Sequence, residues 1–279
     1  MVVVKQTAMA ALGGLSRRGT ARLRAAHDEH ERSLRDVRAA LEARGLAFSE
    51  VAPPRLASAG RRALARAELL VSVGGDGTLL GAVRHLKSGL ALGVNSAPGD
   101  SVGHFCAADR RGFPLLLDRV LAGRAKEVRL ARMEVTLDGR PLFHRVLNDV
   151  LVAHAVPAAT TRYELALRAR REIQRSSGIW VATPAGSTAG IRSAGGRALP
   201  LSSQSLQYRV RELYREPGRG YRLVGGLVGR EGALEVVSRM PQGRLYADGA
   251  RRVRRFPFGS RAVFRMGKEA LRLVSRLPL

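Results

Sequence analysis

Glu68-Leu-Leu-Val-Ser-Val73 runs into Gly74-Gly-Asp-Gly-Thr78, and that into Leu79-Leu-Gly-Ala-Val-Arg-His-Leu86. The first stretch is a short, nearly all-apolar run of the kind buried in a parallel sheet. In the last, Leu79, Leu80, Val83 and Leu86 repeat at helical spacing. Between them, glycines let the backbone approach a ligand closely while free N–H groups at a helix start point at an anion. Gly74, Gly75, Gly77 and Thr78 are therefore candidate phosphate-binding residues. Asp76 sits at the centre of this turn. A carboxylate among anion-seeking amides is electrostatically awkward unless it meets a metal or takes up a proton, and phosphoryl transfer to a hydroxyl uses both services. A plain strand-to-helix turn is the alternative reading.

Working outward, the first part of the chain alternates strand and helix. Val2–Lys5, Leu46–Val51, Leu69–Val73 and Leu90–Val94 read as strands, and Glu31–Arg44, Arg61–Ala67 and Phe113–Leu121 as helices, with Gly45 and Gly123 as stops. That alternation predicts a Rossmann-like parallel α/β domain over residues 1–125, with ligands at the carboxyl ends of its strands. Asn95 falls at such an end. After Lys126 the period changes. Glu127–Leu137, Leu142–His154, Thr161–Arg170, Ile179–Thr183, Tyr221–Val228, Ala233–Val237, Arg244–Ala247, Ala262–Met266 and Leu271–Val274 read as strands, with a helical insertion near Ser187–Arg192. Residues 126–279 are thus expected to form a mainly antiparallel β-sandwich domain, with the active site in the cleft between the two.

The chain has 279 residues, 45% of them hydrophobic, enough for real cores. No apolar run approaches the roughly 20 residues of a membrane-spanning helix, and Lys5 and Gln6 interrupt the Val2-Val-Val4 stretch where a signal-peptide core would lie. A single cysteine, Cys106, excludes a disulfide framework and cysteine-rich zinc sites, which fits a cytoplasmic setting. The net charge of +25 points toward polyanions, but only four of the 48 basic residues are lysine. There are also only three isoleucines and two asparagines, so the arginine excess reads as GC-rich coding. The arginines are not interleaved with aromatics as a base-reading surface requires; Arg251-Arg-Val-Arg-Arg255 is the one dense cluster. Attraction of nucleotides is a simpler use of that charge.

Where composition disfavours asparagine, Asn95 and Asn148 gain weight. Asn148-Asp149 lies in the apolar run Val146–Val152, where an amide and a carboxylate must be satisfied or offered to a ligand such as a ribose; a strand edge or bulge is the alternative. Thr183-Pro-Ala-Gly-Ser-Thr-Ala-Gly190 leaves a strand and opens a helix, with Ser187 and Thr188 as natural caps. His27 and His30 stand three apart like metal ligands, but at the start of a charged helix they read as a solvated face. Cys106 reads as a small core residue.

Together, Gly74-Gly-Asp-Gly-Thr78, Asn148-Asp149, Thr183-Pro-Ala-Gly-Ser-Thr188 with Ser193-Ala-Gly-Gly196, and Asp248-Gly249 closely resemble the NAD kinase family. Gly93-Val-Asn-Ser96, Ser101-Val-Gly-His-Phe-Cys106, Leu199-Pro-Leu-Ser-Ser203 and Leu206-Gln-Tyr-Arg-Val210 look like its mitochondrial NAD kinase and plant NADH kinase branch. The resemblance implies a transferase that moves the terminal phosphate of ATP, with Mg²⁺, to the adenosine 2′-hydroxyl of NAD or NADH, as a cytoplasmic homodimer. It implies Asp76 as general base and Asn95, Asn148, Asp149, Thr183, Ser187, Thr188, Ala189 and Asp248 as dinucleotide-binding residues, with no protein metal ligands of its own. Ser177 and Gly190 stand where many bacterial members have Asp and Tyr, positions that touch the nicotinamide half or an adjoining subunit; their loss predicts that NADH is accepted at least comparably with NAD⁺. A lipid kinase of the diacylglycerol or sphingosine type shares the glycine turn, and a non-enzymatic nucleic-acid binder is the reading from charge alone. The residues leave open ATP against polyphosphate as donor.

Overall fold

The computed structural model describes residues 1–7, 17–51 and 58–276. It divides into two units: Met1–Val128, to which the chain returns at Leu271, and Arg129–Ala270.

The first unit follows the strand–helix alternation: β1 (Val2–Val4), α1 (Arg17–Glu42), β2 (Glu50–Val51), α2 (Ser58–Arg66), β3 (Leu69–Gly74), α3 (Asp76–Val83), β4 (Leu90–Asn95), β5 (Cys106–Asp109), α4 (Phe113–Leu121) and β6 (Glu127–Leu130). Strands β2, β1, β3 and β4 lie side by side, all parallel. Strands β3 and β4 are buried along almost their whole length, hence their unbroken aliphatic sequences. Pairing of Gly74 with Asn95 brings both to the same carboxyl edge of the sheet. Helix α1 begins fourteen residues before the Glu31 expected from its apolar face: Arg17–His30 is rich in helix formers but poor in the apolar repeats that mark a helix. His30 is buried, only 1% exposed, which overturns its reading as part of a solvated face; burial lowers its pKa. His27 is instead bonded to Thr7 Oγ1 at 3.0 Å.

Two six-stranded antiparallel sheets make the second unit. One runs in the order β11 (Arg170–Ser176), β10 (Thr161–Leu167), β15 (Leu234–Ser238), β18 (Arg261–Met266), β7 (Met133–Leu137), β8 (Arg140–Val146). The other runs β14 (Gly225–Val228), β13 (Leu206–Arg211), β12 (Gly178–Ala182), β9 (Asp149–His154), β16 (Gly243–Ala247), β17 (Val253–Phe256). Alternation sends Phe143, Leu165, Val236 and Phe264 of the first sheet, and Val152, Ile179, Val181 and Leu245 of the second, into one shared core. Each such side chain contributes about 1.5–3 kcal/mol by leaving water.

Several strand expectations change; two simply shorten, Leu46–Val51 to Glu50–Val51 and Tyr221–Val228 to Gly225–Val228. Leu142–His154 is not one strand: it breaks at Leu147-Asn148, and its halves, β8 and β9, belong to opposite sheets. Asn148 therefore sits at a sheet-to-sheet crossing and not inside a strand. Glu127–Leu137 likewise breaks at Ala131-Arg132. The last strand, β19 (Leu271–Val274), leaves the second unit and pairs in parallel with Leu90 and Ala91 of β4, so the 126–279 segment does not form one unit. Strand β5 takes the other half of that β4 edge, at Gly93–Asn95.

Candidate functional site

At the carboxyl edge of the parallel sheet, Gly75 caps α3, so Asp76 is the first residue of the helix and not the middle of a turn. Its two carboxylate oxygens accept the backbone N–H groups of His104 (2.9 Å) and Phe105 (2.8 Å). Each oxygen keeps a second lone pair for a ligand. Gly75 approaches Ser101 so closely that a Cβ would stand 2.6 Å from its hydroxyl. Open space lies around Gly77. Thr78 donates its N–H to Gly75 O at 3.0 Å, which narrows the amide cradle to Gly75 and Gly77. Asn95 clamps the following loop: its amide donates to Ser101 O (2.8 Å) and its oxygen accepts from Ala97 N. Cys106 is buried, with its pKa pushed up to about 12 by burial and then by Asp76, and is unsuited to nucleophilic work.

In the second unit the remaining motifs meet at one end of one sheet, because Ala182 of β12 pairs with Asp149 of β9, and Ala247 of β16 with Val150. Thr183 donates its N–H to Asn148 O (2.9 Å) and its hydroxyl to Leu147 O, and accepts Gly186 N (3.1 Å). Gly186 packs so tightly on Asn148 that a Cβ would collide with its carbonyl. Ser187 is fully buried, donating to Pro184 O (2.6 Å) and accepting from Leu199 N (2.9 Å). Thr183 and Ser187 thus shape the turn, a 3₁₀ segment over Ala185–Thr188, while Thr188 is exposed and Ala189, beside it, is half-buried. Asp248, with φ of 48°, accepts from Leu147 N and Asn148 N (2.7 Å) and pairs with Arg252 at 3.5 Å. It fixes the crossing where Asn148 turns. Arg252 comes from the one dense basic run, and it is held by Asp248, His144 O and the ring of Phe143.

Two polar groups remain at this end. Asn148 Oδ1 is buried and has no hydrogen-bond partner among the described residues, a cost the fold carries unless a ligand donates to it. Asp149 is 5% exposed; burial, and then the Asp248 charge, push its pKa up to about 7. Near neutrality it therefore exists in both forms, able to donate or accept a hydroxyl hydrogen bond. Because the folded value exceeds the ordinary 3.8, this one group costs the unliganded fold nothing below about pH 4 and progressively more as the pH rises toward 7. Asp149→Asn should match wild type near pH 4 and gain on it by about 1.4 kcal/mol per pH unit in that window. Urea midpoints that differ by a constant amount from pH 4 to 8 would refute the assignment.

Ser177 lies at the opposite end of β12, six residues before Thr183, or roughly 20 Å away at about 3.3 Å per residue. Within one chain it does not reach this end of the sheet, so it gives no ground for a preference between NADH and NAD⁺ there. A Cβ at Gly190 would stand 2.8 Å from the Trp180 ring; the indole fills the space a larger side chain would need. The amides of His104 and Phe105 are a functional element that residue types do not signal, since a backbone N–H carries no residue signature.

No protein-family profile matches the chain. It is 40% identical over 205 residues to a probable NADH kinase of Oryza sativa subsp. japonica, covering 66% of this chain and 63% of that protein. To an NADH kinase of Arabidopsis thaliana it is 33% identical over 205 residues, covering 65% and 64%. The chain thus spans less than two thirds of the length of these relatives. Among solved structures, an NAD kinase from Archaeoglobus fulgidus in complex with ATP superposes with TM-score 0.72 at 20% identity, covering 98% of this chain and 92% of that one. Yeast NADH kinase complexed with NADH gives 0.67 at 19%, covering 77% and 63%. These two likenesses establish the fold.

Proposed function

We propose that this chain is a member of the NAD kinase family, as its likeness to the two plant NADH kinases suggests, and that it transfers the terminal phosphate of ATP to the adenosine 2′-hydroxyl of NAD or NADH. The observation that carries the reading is the end of the β12–β9–β16 sheet, where a buried, partnerless Asn148 Oδ1 stands beside Asp149. That pair suits the vicinal hydroxyls of a ribose and offers nothing to an acyl chain. The exposed Thr188 hydroxyl and the Ala189 backbone extend the dinucleotide surface. Thr183, Ser187, Asn95 and Asp248 act as positioning residues, since their side chains are engaged within the protein.

Asp76 takes the proton of the attacking hydroxyl, held in aim by the His104 and Phe105 amides. The N–H groups of Gly75 and Gly77 receive donor phosphate oxygens. Among the described residues no group of three or more His, Cys, Asp or Glu is placed to hold a metal. A hard cation such as Mg²⁺ would therefore arrive with the donor nucleotide and not on a protein cluster, and would neutralise donor charge, leaving Asp76 free to act as base. Most of the rate then comes from positioning. The relatives named NADH kinase support NADH as acceptor. A homodimer in the cytoplasm is the state we assign, checked by sedimentation of the purified chain.

The direct test incubates the protein with ATP or polyphosphate and with NAD⁺, NADH or diacylglycerol. Formation of NADP(H) is expected, and phosphorylation of the lipid alone would refute the reading. Asn148→Ala separates binding from folding. It removes an unsatisfied buried oxygen, so the urea midpoint should stay level or rise. Dinucleotide affinity should fall about 5- to 150-fold, the equivalent of 1–3 kcal/mol, with ATP affinity unchanged. Equal weakening of both ligands in calorimetry would make the residue structural.

A further inference from the structure

A row of three arginines crosses the outer face of the other sheet of the second unit. Arg162 of β10 pairs directly with Arg175 of β11, and on its other side Arg162 O accepts Arg239 N at 2.9 Å. Tyr163, Gln174 and Ser238, each one residue away, are buried, so alternation turns all three arginines outward. Side chains directly opposite across antiparallel strands lie about 4.5–5.5 Å apart at Cβ, where like charges repel. Only Arg175 is compensated, by Glu216 at 2.5 Å. The carboxylates closest in sequence and register are committed elsewhere, Glu164 to Arg171 and Glu235 to Arg261. Arg162 and Arg239 have no acidic partner among the described residues.

These two guanidinium groups form the shared wall of two adjoining cavities, of about 360 and 250 Å³. The larger is edged by Phe258, 67% exposed on the turn before β18, and by Ile173, 42% exposed. The smaller is lined by His154 and Thr160. Fixed positive charge in a concavity with an exposed aromatic ring is the chemistry that holds a phosphate ester carrying a flat heterocycle: arginine forks match phosphate oxygens, and a phenyl face stacks on a base.

We propose that Arg162, Arg239 and Phe258 form a second nucleotide site, separate from the sheet end that carries Asn148 and Asp149. An anion there relieves the repulsion that the row builds in. The proposal goes beyond the kinase reading and does not depend on it, because its test measures binding and not turnover.

The experiment titrates ATP, and tripolyphosphate as the ring-free control, into the full chain by calorimetry. R162Q/R239Q is expected to lose one ATP site per chain, or to weaken it at least tenfold. Without ligand at low salt, its thermal midpoint should be at or above that of wild type, since the residues are exposed and the change removes repulsion. F258A should weaken ATP at the same site and leave tripolyphosphate unchanged. Site number and affinities within tenfold of wild type in the double variant overturn the site. Equal weakening of ATP and tripolyphosphate in F258A overturns its assignment to a nucleotide.

Discussion

Asp76→Asn is expected to lower turnover by about 10²–10⁴-fold, the usual contribution of a positioned base, while ATP still binds. The change is isosteric in outline but not in hydrogen bonding. Both oxygens of Asp76 accept backbone N–H groups, from His104 and Phe105. An asparagine has one acceptor oxygen, so its NH₂ must face one of those donors. One amide is then left without a partner, at a cost of about 1–3 kcal/mol, and the His104–Phe105 segment loosens. Stability and rate should therefore fall together, for separable reasons. Assays well below the variant's unfolding midpoint isolate the rate effect. A loss of tenfold or less per folded molecule, with unchanged acceptor affinity, would remove Asp76 from the role of base.

Replacing Asp248 should have the largest effect on folding. In Asp248→Ala the N–H groups of Leu147 and Asn148 lose their acceptor, and Arg252, only 15% exposed, loses its carboxylate. Breaking a buried ion pair from one side costs about 3–5 kcal/mol, because the other charge remains desolvated. The crossing from one sheet to the other depends on those amides, so the dinucleotide affinity should drop as well. A second signature is electrostatic. Asp248 helps hold the Asp149 pKa up at about 7, so in Asp248→Ala the Asp149 carboxyl should titrate lower. Carboxyl chemical shifts in a ¹³C-labelled sample report this directly. An unfolding free energy within 1 kcal/mol of wild type, a margin of about fivefold in the equilibrium, would show that the arrangement is dispensable.

The parts of the fold that rest on hydrophobic period were legible in the sequence. Buried β3 and β4 and helix α4 follow from the order of apolar residues alone. What escaped was information that period does not carry. A run such as Val146–Val152 looks the same whether it continues or changes sheet at Asn148, because both sheets accept aliphatic side chains in the same core. The destination of β19 was hidden for a similar reason: Leu271–Val274 is apolar enough for either unit. At the candidate site, residue types singled out loops but not the division of labour among their side chains. Thr183 and Ser187 have ligand-like hydroxyls, yet both are spent on backbone carbonyls. Burial of the Asn148 Oδ1 atom and of Asp149 at a sheet end is something sequence cannot measure.

The strand Leu271–Val274, lodged beside β4, also dictates an order of events during synthesis on the ribosome. The first unit emerges first but lacks a strand of its sheet, and half the β4 edge, at Leu90 and Ala91, waits unpaired. The second unit is continuous in sequence and can complete both sheets before that strand appears. Contacts so far apart along the chain close slowly, since the loop entropy must be met before the pairing rewards it. The sheet that carries Gly74–Thr78 is thus the last to be completed, once translation has passed Val274.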